Sequence, residues 1–272
     1  MRMSDFKTLR FILFLVVFTL ACAVSGCRTT YTTLVQDRDT VTQLAPFIYI
    51  LSGNYDGSAT VAKFKAAGDL GIGTFDGLDG EAVMLDGIVY QVKGDGSVML
   101  PDDLTRMPFG ACTLFDDDRR HTIQNIDSYQ SFGGALEGAF EYPHIFYAIK
   151  AEGAFRKIIV RSCDRQTKPY VPLSDATKLQ HEYTYNDVKG TLVGFWAPHF
   201  MPSAVGVPGF HLHFISSDRS KGGHVLDFVA DSLDTRIDPT PRVTIDFSAP
   251  ADVLLMSSDI DRHMHDAERK RK

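Results

Sequence analysis

Apolar and polar side chains alternate with the two-residue period of an extended strand far more often along this chain than they follow the longer period of a helix. Ala82-Val83-Met84-Leu85 and Ile88-Val89-Tyr90-Gln91-Val92 flank Asp86-Gly87. An Asp-Gly pair supplies the positive φ angles of a two-residue turn, so this segment predicts a hairpin. Ile145 to Lys150 and Phe155 to Arg161 read as strands on either side of Gly153, and further strands are expected at Gly190 to Ala197 and Arg242 to Phe247. Ser128 to Ala139 carries a looser, helix-compatible pattern ended by Pro143. Together these elements predict an α+β protein of two domains built on mixed, mostly antiparallel β-sheets with few helices, with a β-sandwich as the alternative.

The polar, proline-containing stretch Gln166 to Asp187 interrupts the strand pattern. It places an N-terminal α+β domain at residues 34–165 and a C-terminal domain at residues 166–250, with a tail over 251–272. At the other end, Arg2, Lys7 and Arg10 precede the apolar run Phe11 to Leu20, which is too short and too terminal for a membrane span. Residues 1–26 therefore read as an export signal. Val24-Ser25-Gly26-Cys27 resembles the lipobox of bacterial lipoproteins. That resemblance implies a lipid anchor at Cys27, a short tether over 27–33, and a place on the periplasmic or extracellular face of a membrane.

Composition narrows the function classes. With 44% hydrophobic and 23% charged residues, the 272-residue chain has the apolar content for a packed core. The formal net charge is −6; residues 1–26 hold three basic residues and one acidic, so the remainder carries 25 basic against 33 acidic, a net −8. Binding to a phosphate backbone calls for a basic stripe, and the only positive cluster is Arg269-Lys270-Arg271-Lys272, which reads as a solvated tail. No nucleic-acid partner is expected. Cys112 and Cys163 stand apart from any Cys-x-x-Cys or Cys-His arrangement, and their spacing leaves a disulfide and two buried thiols equally open.

The most informative chemistry lies in Gly209-Phe210-His211-Leu212-His213-Phe214 and the following Gly222-Gly223-His224. On a strand, His211 and His213 project to one face and Phe210, Leu212 and Phe214 to the other. Ser216 to Lys221 reads as a polar reversal, and Val225, Leu226, Phe228 and Val229 as the returning strand. A hairpin symmetrical about Asp218 and Arg219 sets His224 opposite His213, so that three imidazoles converge. Three neutral imidazoles suit a borderline divalent ion and leave coordination positions open for water or substrate. The bland alternative is a set of solvated histidines on a polar strand face, which would suffice for an isolated His-x-His.

Gly71-Ile72-Gly73-Thr74-Phe75-Asp76-Gly77-Leu78-Asp79-Gly80-Glu81 is too rich in glycines and polar side chains to be read as a plain turn. It is either a connection that starts the Asp-Gly hairpin at Glu81 or a loop in which glycine lets carboxylate and backbone approach a ligand. Neither a phosphate loop nor a dinucleotide fingerprint fits, because no Gly-Lys-Ser/Thr follows and a hairpin rather than a helix comes next.

This loop, Lys189-Gly190-Thr191-Leu192-Val193-Gly194-Phe195-Trp196-Ala197-Pro198, Arg161-Ser162 with Gln166 to Tyr170, and the histidine hairpin together resemble the bacterial α-acetolactate decarboxylases, from about Tyr31 to about Phe247. The resemblance implies a zinc enzyme with one Zn2+ per chain that turns 2-acetolactate into acetoin and carbon dioxide, with a two-domain fold that is usually a homodimer. It implies metal ligands at His211, His213 and His224, and catalytic roles for Thr74, Glu81 and Arg161. A further glutamate near the C-terminus maps onto Glu268, the sole glutamate of the tail. In the chemistry so implied, the metal chelates two substrate oxygens and stabilises the enediolate left by loss of carbon dioxide, Arg161 holds the carboxylate or hydroxyl, and Glu81 and Glu268 deliver a proton. No thiamine or pyridoxal cofactor is called for, since the ketone already lies β to the departing carboxylate.

Two rivals remain at this level. His211, His213 and Asp218 imitate the two-histidine, one-carboxylate iron site of a cupin-like oxygenase, and an exported lipoprotein could instead capture zinc or a small metabolite. His121, His144, His181, His199, His263 and His265 stay outside the site, and Trp196 is read as packing.

Overall fold

The computed structural model describes residues 38–203, 205–247 and 257–268. The export signal, Cys27 and its tether, and the terminal basic cluster lie outside the described residues. Two sheets carry the architecture. The first has seven strands in the order β14-β1-β8-β3-β4-β5-β6: β1 (Thr40–Gln43), β3 (Leu70–Thr74), β4 (Glu81–Leu85), β5 (Ile88–Val92), β6 (Val98–Met99), β8 (Phe109–Thr113) and β14 (Arg242–Ile245). The second has five in the order β10-β11-β12-β13-β9: β9 (Arg119–Ile126), β10 (Phe146–Ser162), β11 (His181–Ala197), β12 (Gly209–Ser216) and β13 (Gly222–Thr240). A short ribbon pairs β2 (Ala59–Thr60) with β7 (Arg106–Met107). Pairing is antiparallel throughout except where β14 lies parallel to β1. The helices are few and short: α1 (Phe47–Leu51), α2 (Val61–Ala67), α3 (Tyr129–Glu137), α4 (Leu173–Ala176) and α5 (Ser257–Glu268).

The expected hairpin stands at β4 and β5, with Asp86 at φ 52° and Gly87 at φ 76°. The expected helix is α3, capped by a reciprocal pair in which Ser128 and Ser131 each accept from the other's backbone N–H. Ile145–Lys150 and Phe155–Arg161 are parts of one 17-residue strand, β10. Its register against β13 shifts near Gly153, where a Cβ would come within 2.7 Å of Leu233 Cδ2. The glycine that looked like a break is a bulge permitting close approach of two ribbons.

β10 also explains why the expected division at residue 166 does not follow the sheets. It bonds to β11 along one edge and to β13 along the other, so β10, β11, β12 and β13 close into a ring joined by β9. Strands from both sides of the Gln166–Asp187 stretch thus share one sheet. β11 begins at His181 rather than Gly190 because it continues the ladder that β10 offers, with Tyr183 and Tyr185 alternating with Glu182, Thr184 and Asn186 and, like Val188, packing against the ring core. β14 leaves the histidine sheet altogether and pairs with β1.

Inside the ring, Tyr147, Ile149, Phe155, Leu192, Leu212, Phe214 and Phe228 pack as one core. Phe214 is fully buried, a transfer that contributes about 1.5–3 kcal/mol. The alternate residues of the same strands, among them Ala148, Val193, Phe195 and Ile215, face the seven-stranded sheet and join Ile72, Val83 and Phe109 in a second core. Whatever points outward from β12 is therefore caught between two sheets. The tail is not simply solvated either: on α5, Met264 and Ala267 are buried in this second core, and the helix packs against α4 and α1.

Asp238 of β13 is a buried acid whose Oδ2 accepts from the Asp116 N–H at 3.1 Å while Oδ1 has no partner. Burial pushes its carboxyl up to about 7, helped by the nearby Asp118, Asp116 and Asp39. A carboxyl raised in the fold stabilises it fully below the ordinary carboxylate range, and this contribution is lost as pH rises toward 7. Asp238→Asn keeps the shape without the charge. Its advantage over the native protein in urea denaturation is expected to grow by on the order of 2 kcal/mol between pH 5 and pH 8. An advantage independent of pH would show that Asp238 ionises freely.

Candidate active site

The register of β12 against β13 pairs His213 with His224, the symmetry about Asp218 and Arg219 expected from the sequence. The three histidine rings stand 5.1 to 5.3 Å apart between centroids, and one ligand nitrogen from each lies within 4.8 Å of the others. The opposite face of β12 is apolar, with Leu212 and Phe214 in the ring core. Contrary to the solvated alternative, His213 and His224 are buried.

Three features prepare these imidazoles to bind a cation. Burial pushes His211 down to about 3, aided by repulsion from Arg161, and drives His213 and His224 well below the ordinary histidine range. All three are neutral at physiological pH and offer a lone pair. His213 Nδ1 lies 2.8 Å from the Ala82 carbonyl, which can only accept; the proton therefore sits on Nδ1 and the lone pair on Nε2. That Nε2 is buried with no hydrogen-bond partner. An orphaned basic nitrogen aimed at two others is what a metal ligand looks like before the metal is added.

Arg161 reaches the same point because β10 pairs it directly with His224. Glu81 and Thr74 face each other across β3 and β4. Glu268 comes from the last described turn of α5. Arg161 Nη1 lies 3.2 Å from Glu81 Oε1, and Nη2 lies 3.9 Å from Glu268 Oε1. Each glutamate also approaches one histidine: Glu81 Oε2 to His213 Nε2 and Glu268 Oε2 to His224 Nε2, both 3.5 Å. Burial pushes both carboxyls up to about 7, with Arg161 pulling against it and, for Glu81, Glu268 adding to it. The Thr74 hydroxyl donates to the Gly80 carbonyl at 2.7 Å, bracing the turn that delivers Glu81.

The seven polar residues line one pocket of about 30 Å³, walled by Phe47, Ile50, Leu78, Phe109 and Leu173. A larger cleft of about 690 Å³ meets it at His224 and Glu268. The wall residues and the Ala82 carbonyl escaped sequence reasoning, since the first read as ordinary core and the second is backbone. Asp76 and Asp79 serve the loop: Asp76 accepts from the Gly57 N–H at 2.7 Å, and Asp79 pairs with Lys93. Asp218 stays in the hairpin turn, accepting from Ser216 Oγ and Ser220 N, so the two-histidine, one-carboxylate arrangement is not formed. Cys112 and Cys163 are buried free thiols; Cys163 Sγ lies 4.0 Å from Arg161 Nη1. Trp196 packs, donating to Glu137 at 2.9 Å.

Fold and site together define a mostly antiparallel β protein with a buried pocket in which three neutral imidazoles, a guanidinium and two carboxyls raised by burial converge. The family model for alpha-acetolactate decarboxylase matches residues 41–259. An alpha-acetolactate decarboxylase of Bacillus licheniformis is 35% identical, covering 83% of this chain and 88% of the relative, and one of Methanosarcina mazei is 38% identical over 79% and 74%. The crystal structure of alpha-acetolactate decarboxylase from Bacillus subtilis superposes with a TM-score of 0.81 at 31% identity, covering 85% of this chain and all of that one. The chain belongs to the α-acetolactate decarboxylase family and is a carboxy-lyase.

Proposed function

We propose that this pocket converts 2-acetolactate to acetoin and carbon dioxide, with one zinc ion per chain held by His211, His213 and His224. The donor set fits: three neutral nitrogens, one of them a buried orphan, with no fourth ligand grouped with them among the described residues. When bound, the cation supplies Lewis-acid stabilisation of the negative charge that develops on the ketone oxygen as carbon dioxide leaves.

The chain's own residues do the rest. Arg161 is buried between two glutamates and presents a planar donor fork suited to a carboxylate. Phe47, Ile50, Phe109 and Leu173 exclude water and take the methyl groups. Burial raises the Glu81 carboxyl to about 7, so a share of it holds a proton at neutral pH, and it delivers that proton to the carbon from which carbon dioxide has departed. Glu268 stands where the larger cleft meets the pocket and is placed to hold a second proton. Thr74 positions Glu81 through Gly80 and keeps its hydroxyl lone pairs for a substrate hydroxyl.

The observation that carries this reading is the convergence of all seven side chains on one pocket. Purified protein is expected to form acetoin and carbon dioxide from racemic acetolactate, and His213→Ala to lose at least about a thousandfold in kcat/KM while keeping its circular dichroism. A variant with unimpaired turnover would remove the histidine from the chemistry. Export as a lipoprotein anchored through Cys27, on the periplasmic or extracellular face, rests on the signal segment. Assembly as a homodimer rests on the family resemblance. Detergent partitioning and sedimentation test these two.

A further inference from the structure

A second cavity of about 30 Å³ shares only His211 and Phe109 with the catalytic pocket. Its character is different. Apart from His211, its polar side chain is Gln43; Phe146, Phe195, Ala197 and Val207 supply apolar walls. Gln43 sits on β1 opposite Ala111, is 3% exposed, and its Oε1 has no hydrogen-bond partner. A carboxamide oxygen left unpaired in a buried apolar chamber costs on the order of 1–3 kcal/mol, which a donating water relieves and a contact with an electropositive carbon relieves only in part. The volume suits roughly two waters or one linear triatomic molecule.

Resting on the decarboxylase reading above, we propose that this cavity is a receiving site for the carbon dioxide released in the neighbouring pocket. As the bond between the carboxylate carbon and the carbon skeleton breaks, its electron pair stays with the skeleton and the carboxylate leaves as a neutral molecule. The group that Arg161 attracts as an anion thereby loses its charge and its claim on the guanidinium, while an apolar chamber becomes its better solvent. Carbon dioxide retains an electropositive carbon, which a carbonyl oxygen such as Gln43 Oε1 contacts along the approach seen between carbonyl groups. Separation across His211 keeps the product from recapture by the electron pair it has just left.

Crystals of the protein pressurised with carbon dioxide test this without reference to turnover. Linear density in the cavity against Gln43 is the expected result; ordered water bonded to Gln43 that the gas does not displace overturns the proposal. In solution, Ala197→Val narrows the chamber without touching the catalytic pocket. It is expected to lower kcat about tenfold with KM within about twofold, and to reduce the carbon isotope effect at the carboxyl position because recapture makes cleavage reversible. Ala111→Val serves as a second filling variant should the first fold poorly. Unchanged kcat and isotope effect in a folded variant contradict the proposal, whereas failure of the native protein to decarboxylate acetolactate contradicts the underlying reading instead.

Discussion

Replacing Arg161 with alanine is expected to lower kcat/KM by about a thousandfold or more and to weaken the metal-free fold in a pH-dependent way. The guanidinium is the only positive side chain lining the pocket, and it lies against two buried carboxyls at 3.2 and 3.9 Å. Without it, nothing opposes the desolvation that already holds Glu81 and Glu268 near 7, and both carboxyls rise further. Groups raised in the fold stabilise it at low pH and lose that contribution as pH climbs through their folded values. The variant should therefore be close to the native protein in urea at pH 6 and fall behind it by several kcal/mol toward pH 9, consistent with the cost of stranding a buried charge. Arg161→Lys keeps the charge without the fork and is expected to recover much of the stability and little of the activity. Equal losses at both pH values would mean that the arginine acts by packing alone.

Glu81→Gln separates proton delivery from shape. Glutamine fills the same volume, still meets Arg161 through its amide oxygen, and cannot give up a proton. The expected result is a fall in kcat of about a hundred- to ten-thousandfold with KM little changed. Stability should hold or rise, because a buried ionisable group has been replaced by a neutral one. In the native enzyme, kcat/KM is expected to decline as pH rises through the Glu81 value, which burial sets at about 7 without metal and a bound cation lowers. A variant with native kcat would shift the proton to Glu268, and Glu268→Gln then becomes the decisive comparison.

Much of this site could be read before the fold was known, for a physical reason. His211, His213 and His224 lie on one hairpin, so strand alternation and a symmetrical turn suffice to place them. Asp86-Gly87 was legible for the same reason, since its turn chemistry is local. Arg161, Glu81 and Thr74 come from other strands, and only the family resemblance joined them to the histidines. Glu268 was the hardest: its helix shows a charged surface in sequence, and its anchors Met264 and Ala267 acquire meaning only once α1 and α4 are in place. The same limit explains why the sheets run across residue 166. Long strands such as β10 and β11 extend through polar segments because a neighbouring strand offers hydrogen bonds, and that offer is invisible in one segment's own pattern. The aspartates of the glycine-rich loop illustrate the converse, since residues that look poised for a ligand are occupied by neighbouring segments, Asp76 by the Gly57 N–H and Asp79 by Lys93.

The central claim is that three imidazoles, a guanidinium and a protonated carboxyl act together around a bound cation. Its most direct test is to strip the purified protein with a chelator, measure metal content, circular dichroism and acetoin formation from acetolactate, and repeat all three after adding back zinc. The account predicts one zinc ion per chain removed, a largely unchanged fold, turnover abolished and turnover restored on reloading. Undiminished acetoin formation by protein shown to be free of metal would contradict it.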